Sequence, residues 1–159
     1  MTLKVFEAFS GVGAQVMALK NIGIPYESVG VAEVNEFSIL SYAAIHTNGY
    51  APPEVSEEEM QDYLKKLNIP LNDKGVRVKL KGKRLKALYN ASKSISNVGD
   101  ISKFAPRELA DEIDLFTYSF PCQSISFAGL GHGLSRGSGT RSSLLWDCEK
   151  IIEEKKPKY

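Results

Sequence analysis

The chain has 159 residues, 43% of them hydrophobic and 25% charged, with a formal net charge of +1. That is one soluble globular domain's worth of sequence, long enough to bury its own core. No apolar run approaches membrane-spanning length, no charged-then-apolar leader precedes the first strand, and the balanced charge says nothing about a nucleic-acid partner.

Residues 5–9 read as a first strand, ended by Ser10-Gly11-Val12-Gly13. Residues 14–21 read as a helix offering Val16, Ala18 and Leu19 to the core, stopped by Gly23 and Pro25. An apolar run at 29–34 suits a buried parallel strand. Asn35 is placed to cap a helix over 36–47, with Phe37, Leu40, Ala44 and Ile45 on one face and Gly49 at its end. Strand-helix-strand-helix order predicts parallel pairing with right-handed crossovers.

Residues 51–97 interrupt that rhythm and read as an insertion, acidic first and then basic, with short helices over 56–67 and 84–91. Its basic run, from Lys74 through Lys81, Lys83 and Arg84 to Lys93, reads first as a solvated face and second as a track for phosphates. The α/β pattern then resumes. Val98-Gly99-Asp100 ends a short strand, Pro106 opens a helix through Ile113, and 114–120 is a strongly apolar strand. A loop with Gly129, Gly131, Gly133, Gly137 and Gly139 follows and is expected to be mobile. Ser142 or Ser143 is placed to cap a last helix with Leu145, Cys148 and Ile152 on one face, and Lys155 and Lys156 complement its dipole. Pro157-Lys158-Tyr159 looks like the entry to another strand.

Two places could carry chemistry. Glycines in the turn Phe9-Ser10-Gly11-Val12-Gly13 allow a ligand close to the backbone, and an acid about 20 residues on, Glu33, stands where a doubly wound fold holds ribose hydroxyls. A third glycine of the dinucleotide pattern is absent, which favours a nucleoside without a pyrophosphate, such as S-adenosylmethionine, over NAD or FAD. The plain alternative is a tight turn beside a surface Glu. Asp100 could reach an adenine amino group or cap a helix. The second place is Phe120-Pro121-Cys122-Gln123. Cys122 follows an apolar strand at the ligand-binding edge of such a sheet, where a thiolate would be useful. Cys148, on an apolar helix face, reads as a small buried hydrophobe. The two cysteines form neither a disulfide scaffold nor a metal-ligand pattern, so reduced thiols in a cytosolic protein without a metal are expected. His46 and His132 read as surface or capping residues.

Taken in order, Phe9-Ser10-Gly11-Val12-Gly13, Glu33-Val34-Asn35, Gly99-Asp100-Ile101 and Phe120-Pro121-Cys122-Gln123 resemble the successive N-terminal motifs of cytosine-5 DNA methyltransferases, and 139–147 is also similar. The resemblance implies a Rossmann-like, mostly parallel α/β fold, incomplete at the C-terminus, in one partial catalytic domain over 1–159. It implies S-adenosylmethionine bound by Phe9, Gly11, Gly13, Glu33, Val34, Asp100, Ile101, Pro121 and Leu144. Cys122 would attack C6 of a flipped cytosine to make C5 nucleophilic, and Gln123, Ser126 and Arg141 would touch nucleic acid. Double-stranded DNA is the expected substrate, transfer RNA the second choice, and a cytoplasmic enzyme of bacterial or phage type the expected setting. In this family a glutamate and the target-recognition region come later in the sequence. The segment alone is therefore expected to be inactive, and to self-associate, to be marginally stable, or to pair with a complementary C-terminal polypeptide. A binding module without turnover, a nicotinamide or flavin oxidoreductase, and a thymidylate-synthase-like enzyme are the competing readings. The two-glycine turn argues against the last two.

Overall fold

A computed structural model of the chain describes residues 2–48, 53–69, 76–110, 112–121 and 135–159. Strand β1 (Leu3–Ala8) lies at the centre of the sheet. Its side chains alternate between two apolar layers, Val5 entering one and Phe6 and Ala8 the other. The strand stops at Ala8 because Phe9 turns left-handed, with φ at 55°. Helix α1 (Ala14–Asn21) has the expected bounds. Val16 is buried and Leu19 partly so, but Ala18 faces solvent.

Strand β2 (Tyr26–Ala32) starts earlier and ends sooner than the apolar run suggested. Its polar opening residues Tyr26, Glu27 and Ser28 are recruited by pairing with Leu3, Lys4 and Val5, and a register shift then skips Val29. Backbone hydrogen bonding, invisible to a hydropathy pattern, sets the start. Asn35 caps helix α2 (Glu36–His46), accepting from the Ser38 amide as expected. The buried face differs from the expected one. It is Glu36, Ile39, Tyr42 and Ala43, while Phe37 is 71% exposed and Ala44 and Ile45 also face solvent. Two polar residues can hold core positions because each finds a partner there: Tyr42 on Glu7, and Glu36 on Arg84 through paired bonds of 2.6 Å.

Helix α3 (Glu57–Lys66) begins with a capping box formed by Ser56 and Glu59. Helix α4 (Gly82–Ser94) runs beyond the expected 84–91 at both ends. Both pack into the main core: Met60, Leu64, Leu85, Leu88 and Tyr89 join Val5, Val16, Val31 and Ile39 in one buried cluster. The stretch read as an insertion therefore covers one face of the sheet.

The expected strand ending at Asp100 is reduced to a single parallel bridge between Asn97 and Val31. The helix expected from Pro106 is one short 3-10 turn, Pro106–Glu108. Leu109 leaves it extended, and the Leu109 carbonyl accepts from Lys155 Nζ at 3.1 Å in place of a helical amide. Strand β3 (Leu115–Tyr118) is the core of the predicted 114–120 run. The sheet order is β2-β1-β3, all parallel. At the β3 edge, Tyr159 donates to the Asp114 carbonyl and accepts from the Phe116 amide, both at 2.9 Å, so the strand entry read at 157–159 is in place. The Lys158 ammonium beside Asp114, helped by the Lys4 amide, holds the Asp114 carboxyl below its usual range.

Helix α5 (Leu145–Lys155) closes the second face with Cys148 and Ile151 against Phe6, Ile113 and Phe116. Ile152, expected inward, is 38% exposed, because the helix meets the sheet one position earlier. Neither predicted serine caps it. A 3-10 turn (Arg141–Leu144) precedes it, and the Ser142 and Ser143 hydroxyls donate to the Pro121 and Thr140 carbonyls. Lys155 serves Leu109, and Lys156 takes the left-handed cap position with φ at 47°. Helices thus cover both faces of a parallel sheet. Among the described residues no helix is long and apolar enough to cross a membrane.

Candidate active site

Parallel strands bring their carboxyl ends to one edge, where open α/β sheets bind ligands. Three segments meet there: the turn after β1, the end of β2 and the end of β3. Phe9 donates its amide to the Ala32 carbonyl at 2.8 Å, which continues the β1–β2 pairing by one step into the turn. The turn closes with the Gly13 amide on the Ser10 carbonyl at 2.9 Å.

Gly11 and Gly13 both take positive φ, 54° and 79°, but their surroundings differ. A Cβ on Gly11 would meet nothing within 4 Å, so a ligand can approach the backbone there. One on Gly13 would stand 2.4 Å from His46 Nε2 and 2.7 Å from a Tyr42 ring carbon. Gly13 is glycine because α2 fills the space beside it.

Glu33, just beyond β2, holds the turn directly. Its Oε2 accepts the Gly11 amide at 2.9 Å, and its Oε1 accepts the Val34 and Asn35 amides at 2.8 Å each. The sequence reading assigns Glu33 to ribose hydroxyls; the fold shows it as the clasp between the turn and β2. Asn97, which sequence reasoning passed over, holds Glu33 in turn. Its side-chain oxygen accepts the Glu33 and Gly99 amides and its NH2 donates to the Glu33 carbonyl, in a site only 3% exposed.

Other predicted residues are placed less directly. Val34 packs on the first core from a half-buried position. The Asp100 carboxylate accepts from Asn68 and from the Ser102 amide and hydroxyl, forming a turn and capping no helix. The Ile101 side chain is buried in the second core, and Leu144 lies against it. Pro121 stands at the β3 end with its carbonyl held at 2.9 Å by Ser142, whose side chain is fully buried. Arg141 is exposed on the adjoining turn. Cys122, Gln123, Ser126, His132 and most of the glycine-rich loop lie outside the described residues. Cys148 is the buried residue its position suggested, and burial pushes its thiol up to about 12, out of thiolate chemistry at neutral pH.

Beneath the turn lies a buried pair that the sequence did not announce. Glu7, on β1, is 0% exposed, and the Tyr42 hydroxyl donates to its Oε2 at 2.6 Å. Burial pushes the Glu7 carboxyl up, against the hydrogen bonds from Tyr42 and the Val16 amide.

The sequence model of the family described as C-5 cytosine-specific DNA methylase matches residues 55–159. The chain belongs to that family. The resemblance read from its motifs and the doubly wound α/β fold agree with this membership. The chain is 51% identical over 164 residues to the type II methyltransferase M2.ScrFI of Lactococcus lactis subsp. cremoris. It is 43% identical over 173 residues to the orphan methyltransferase M.SssI of Spiroplasma monobiae. Each alignment takes in 99% of this chain and 45% of the relative, so the chain spans a little under half the length of either. The orphan methyltransferase M.Rho11sI of Bacillus phage rho11s is 31% identical, across 99% of this chain and 22% of its own.

Proposed function

We propose that this chain binds S-adenosylmethionine at the carboxyl edge of its sheet and carries the nucleophile, Cys122, for methyl transfer to C5 of cytosine in double-stranded DNA. The observation that supports this most is the clasp between Glu33 and Gly11, which presents a carboxylate beside a glycine whose open side admits a ligand. A nucleoside with ribose hydroxyls and no pyrophosphate fits that donor set. Glu33 would accept the hydroxyls. Phe9, Gly11 and Gly13 would form the floor, with Val34, Asp100, Ile101, Pro121 and Leu144 around the base and tail. When bound, the sulfonium supplies the methyl group.

Cys122 follows Pro121, whose carbonyl Ser142 pins at the end of β3. Its thiolate would form a bond to C6, pushing electrons onto C5. After C5 gains the methyl group and loses its proton, the C6–S bond breaks and the thiolate is restored. Gln123, Ser126 and Arg141 would hold the DNA around the flipped base.

The second reading is a cofactor- or partner-binding module without turnover. Calorimetry with S-adenosylmethionine and with NAD tests the cofactor, and only the former should bind. DNA carrying 5-fluorocytosine, which cannot lose its C5 substituent, tests the chemistry. With a complementary C-terminal polypeptide supplied, a covalent adduct on Cys122, located by mass spectrometry and absent in Cys122→Ser, is the expected result. Cofactor binding without an adduct would decide for the second reading, and an adduct on another residue would refute the assignment of Cys122.

A further inference from the structure

His46 ends α2 and lies half-buried against the turn, with Nε2 at 2.9 Å from the Val12 carbonyl. That carbonyl belongs to a residue 49% exposed, between the two glycines. Among the described residues, the backbone hydrogen bonds of the turn, Gly13 to Ser10 and Met17 to Gly13, leave this carbonyl to the imidazole. Without the imidazole it would turn to water, and the peptide joining Val12 to Gly13 would be held at one end only, by the Gly13 amide on the Ser10 carbonyl. Glycines on either side let such a half-held peptide tilt at little cost.

The ring itself is held. It packs on Tyr42 with centroids 4.6 Å apart, and the Tyr42 hydroxyl is anchored on Glu7, in the central strand, at 2.6 Å. The His46 and Tyr42 rings also fill the space beside Gly13, where a Cβ would lie 2.4 Å from Nε2. A continuous path therefore runs from a buried strand carboxylate, through two packed rings, to the backbone of the turn.

We propose that His46 is a positioning residue of the cofactor turn: its Nε2–H fixes the Val12 carbonyl, and Tyr42 and Glu7 fix the ring. A carbonyl oxygen only accepts, so Nε2 carries the proton in this arrangement. The consequence for binding is preorganisation. Gly11 already has its amide on Glu33, and His46 holds the peptide between Val12 and Gly13, so the turn meets its ligand without first having to order itself. This inference rests on the reading that the turn takes S-adenosylmethionine.

The test is calorimetric binding of S-adenosylmethionine to the 159-residue chain, with thermal unfolding measured alongside. His46→Leu keeps an apolar body against Tyr42 but removes the donor. Its affinity should fall about tenfold, the equivalent of one hydrogen bond. His46→Gln can bring an amide N–H to the same carbonyl and should recover most of that loss. A role in packing alone would lower stability in both variants and leave affinity unchanged in the folded protein. If the wild-type chain binds no cofactor, the proposed function fails first. If it binds and folded His46→Leu binds as well, this inference alone is overturned. Nitrogen-15 spectra of the wild-type imidazole give a check independent of any variant. The Nε2–H tautomer is expected, and an Nδ1–H tautomer would overturn the assignment even should His46→Leu fail to fold.

Discussion

Asn97 extends the sheet with its side chain: its NH2 donates to the Glu33 carbonyl at 3.0 Å while its oxygen accepts the Glu33 amide at 3.1 Å. This reciprocal pair imitates a rung of a β-ladder just where the backbone pairing of β2 runs out. Glu33 can then aim its carboxylate at the turn because its own main chain is satisfied.

Replacing Asn97 with Ala leaves the Glu33 and Gly99 amides and the Glu33 carbonyl without partners in a site 3% exposed. The expected cost is about 1–3 kcal/mol, the range for an unsatisfied buried polar group. Urea unfolding measures it. Asn97→Asp should cost more, because it loses the donor and buries a charge facing the Glu33 carbonyl. Midpoints equal to wild type would contradict this account of the edge.

Glu7 imposes a pH dependence whose sign follows from its raised carboxyl. Below the ordinary value of 4.5, folded and unfolded states both carry the proton. As pH rises past it, the unfolded state ionises first, so the stability that the neutral buried carboxyl contributes is lost until the folded group also ionises. Glu7→Gln cannot ionise and should flatten this part of the profile. Glu59, Glu112 and Asp114 are held low by their hydrogen-bond partners and act in the opposite sense, so the difference between variant and wild type is the quantity to follow. Parallel profiles would show that Glu7 does not titrate in this way.

At Glu33 the expected effect is on affinity as well as on fold. Glu33→Gln keeps one acceptor oxygen, so either the Gly11 amide or the Val34 and Asn35 amides lose their partner. Binding of S-adenosylmethionine should weaken by about 1–3 kcal/mol, the range for hydrogen bonds to a charged group. Calorimetry on a variant shown to be folded by circular dichroism is the check, and an unchanged constant would remove Glu33 from the site.

The basic run divides into two kinds of residue. Arg84 neutralises Glu36, which is 6% exposed, so Arg84→Ala should destabilise the fold in thermal unfolding. Lys81 and Lys83 are exposed, and neutralising them should leave stability within about 0.5 kcal/mol of wild type. In an active methyltransferase containing this segment, their loss should leave the methylated sequence unchanged and at most flatten the salt dependence of DNA binding. A changed target sequence would show that this stretch reads bases.

By itself the sequence determined the family and most of the order of the elements. Short apolar runs, an Asn cap and a glycine turn are local signals: the first strand, the first two helices and the Asn35 cap formed within a residue or two of their expected positions, whereas the strand expected to end at Asp100 and the helix expected from Pro106 did not. What remained to the tertiary structure were the features that need a partner distant in sequence. Tyr26 to Ser28 are strand only because β1 pairs with them; Pro106 leads into one turn only because Lys155 takes the Leu109 carbonyl. The buried face of α2 joins Ile39 and Ala43 to two polar residues, Tyr42 and Glu36, which only the distant Glu7 and Arg84 satisfy. Asn97, Ser142 and His46 are placed by long-range hydrogen bonds, to Glu33, Pro121 and Val12, which have no periodicity for a sequence to display. Local propensity acts over a few neighbours, whereas the polar groups of a buried edge take whichever donor or acceptor the folded chain brings within about 3 Å.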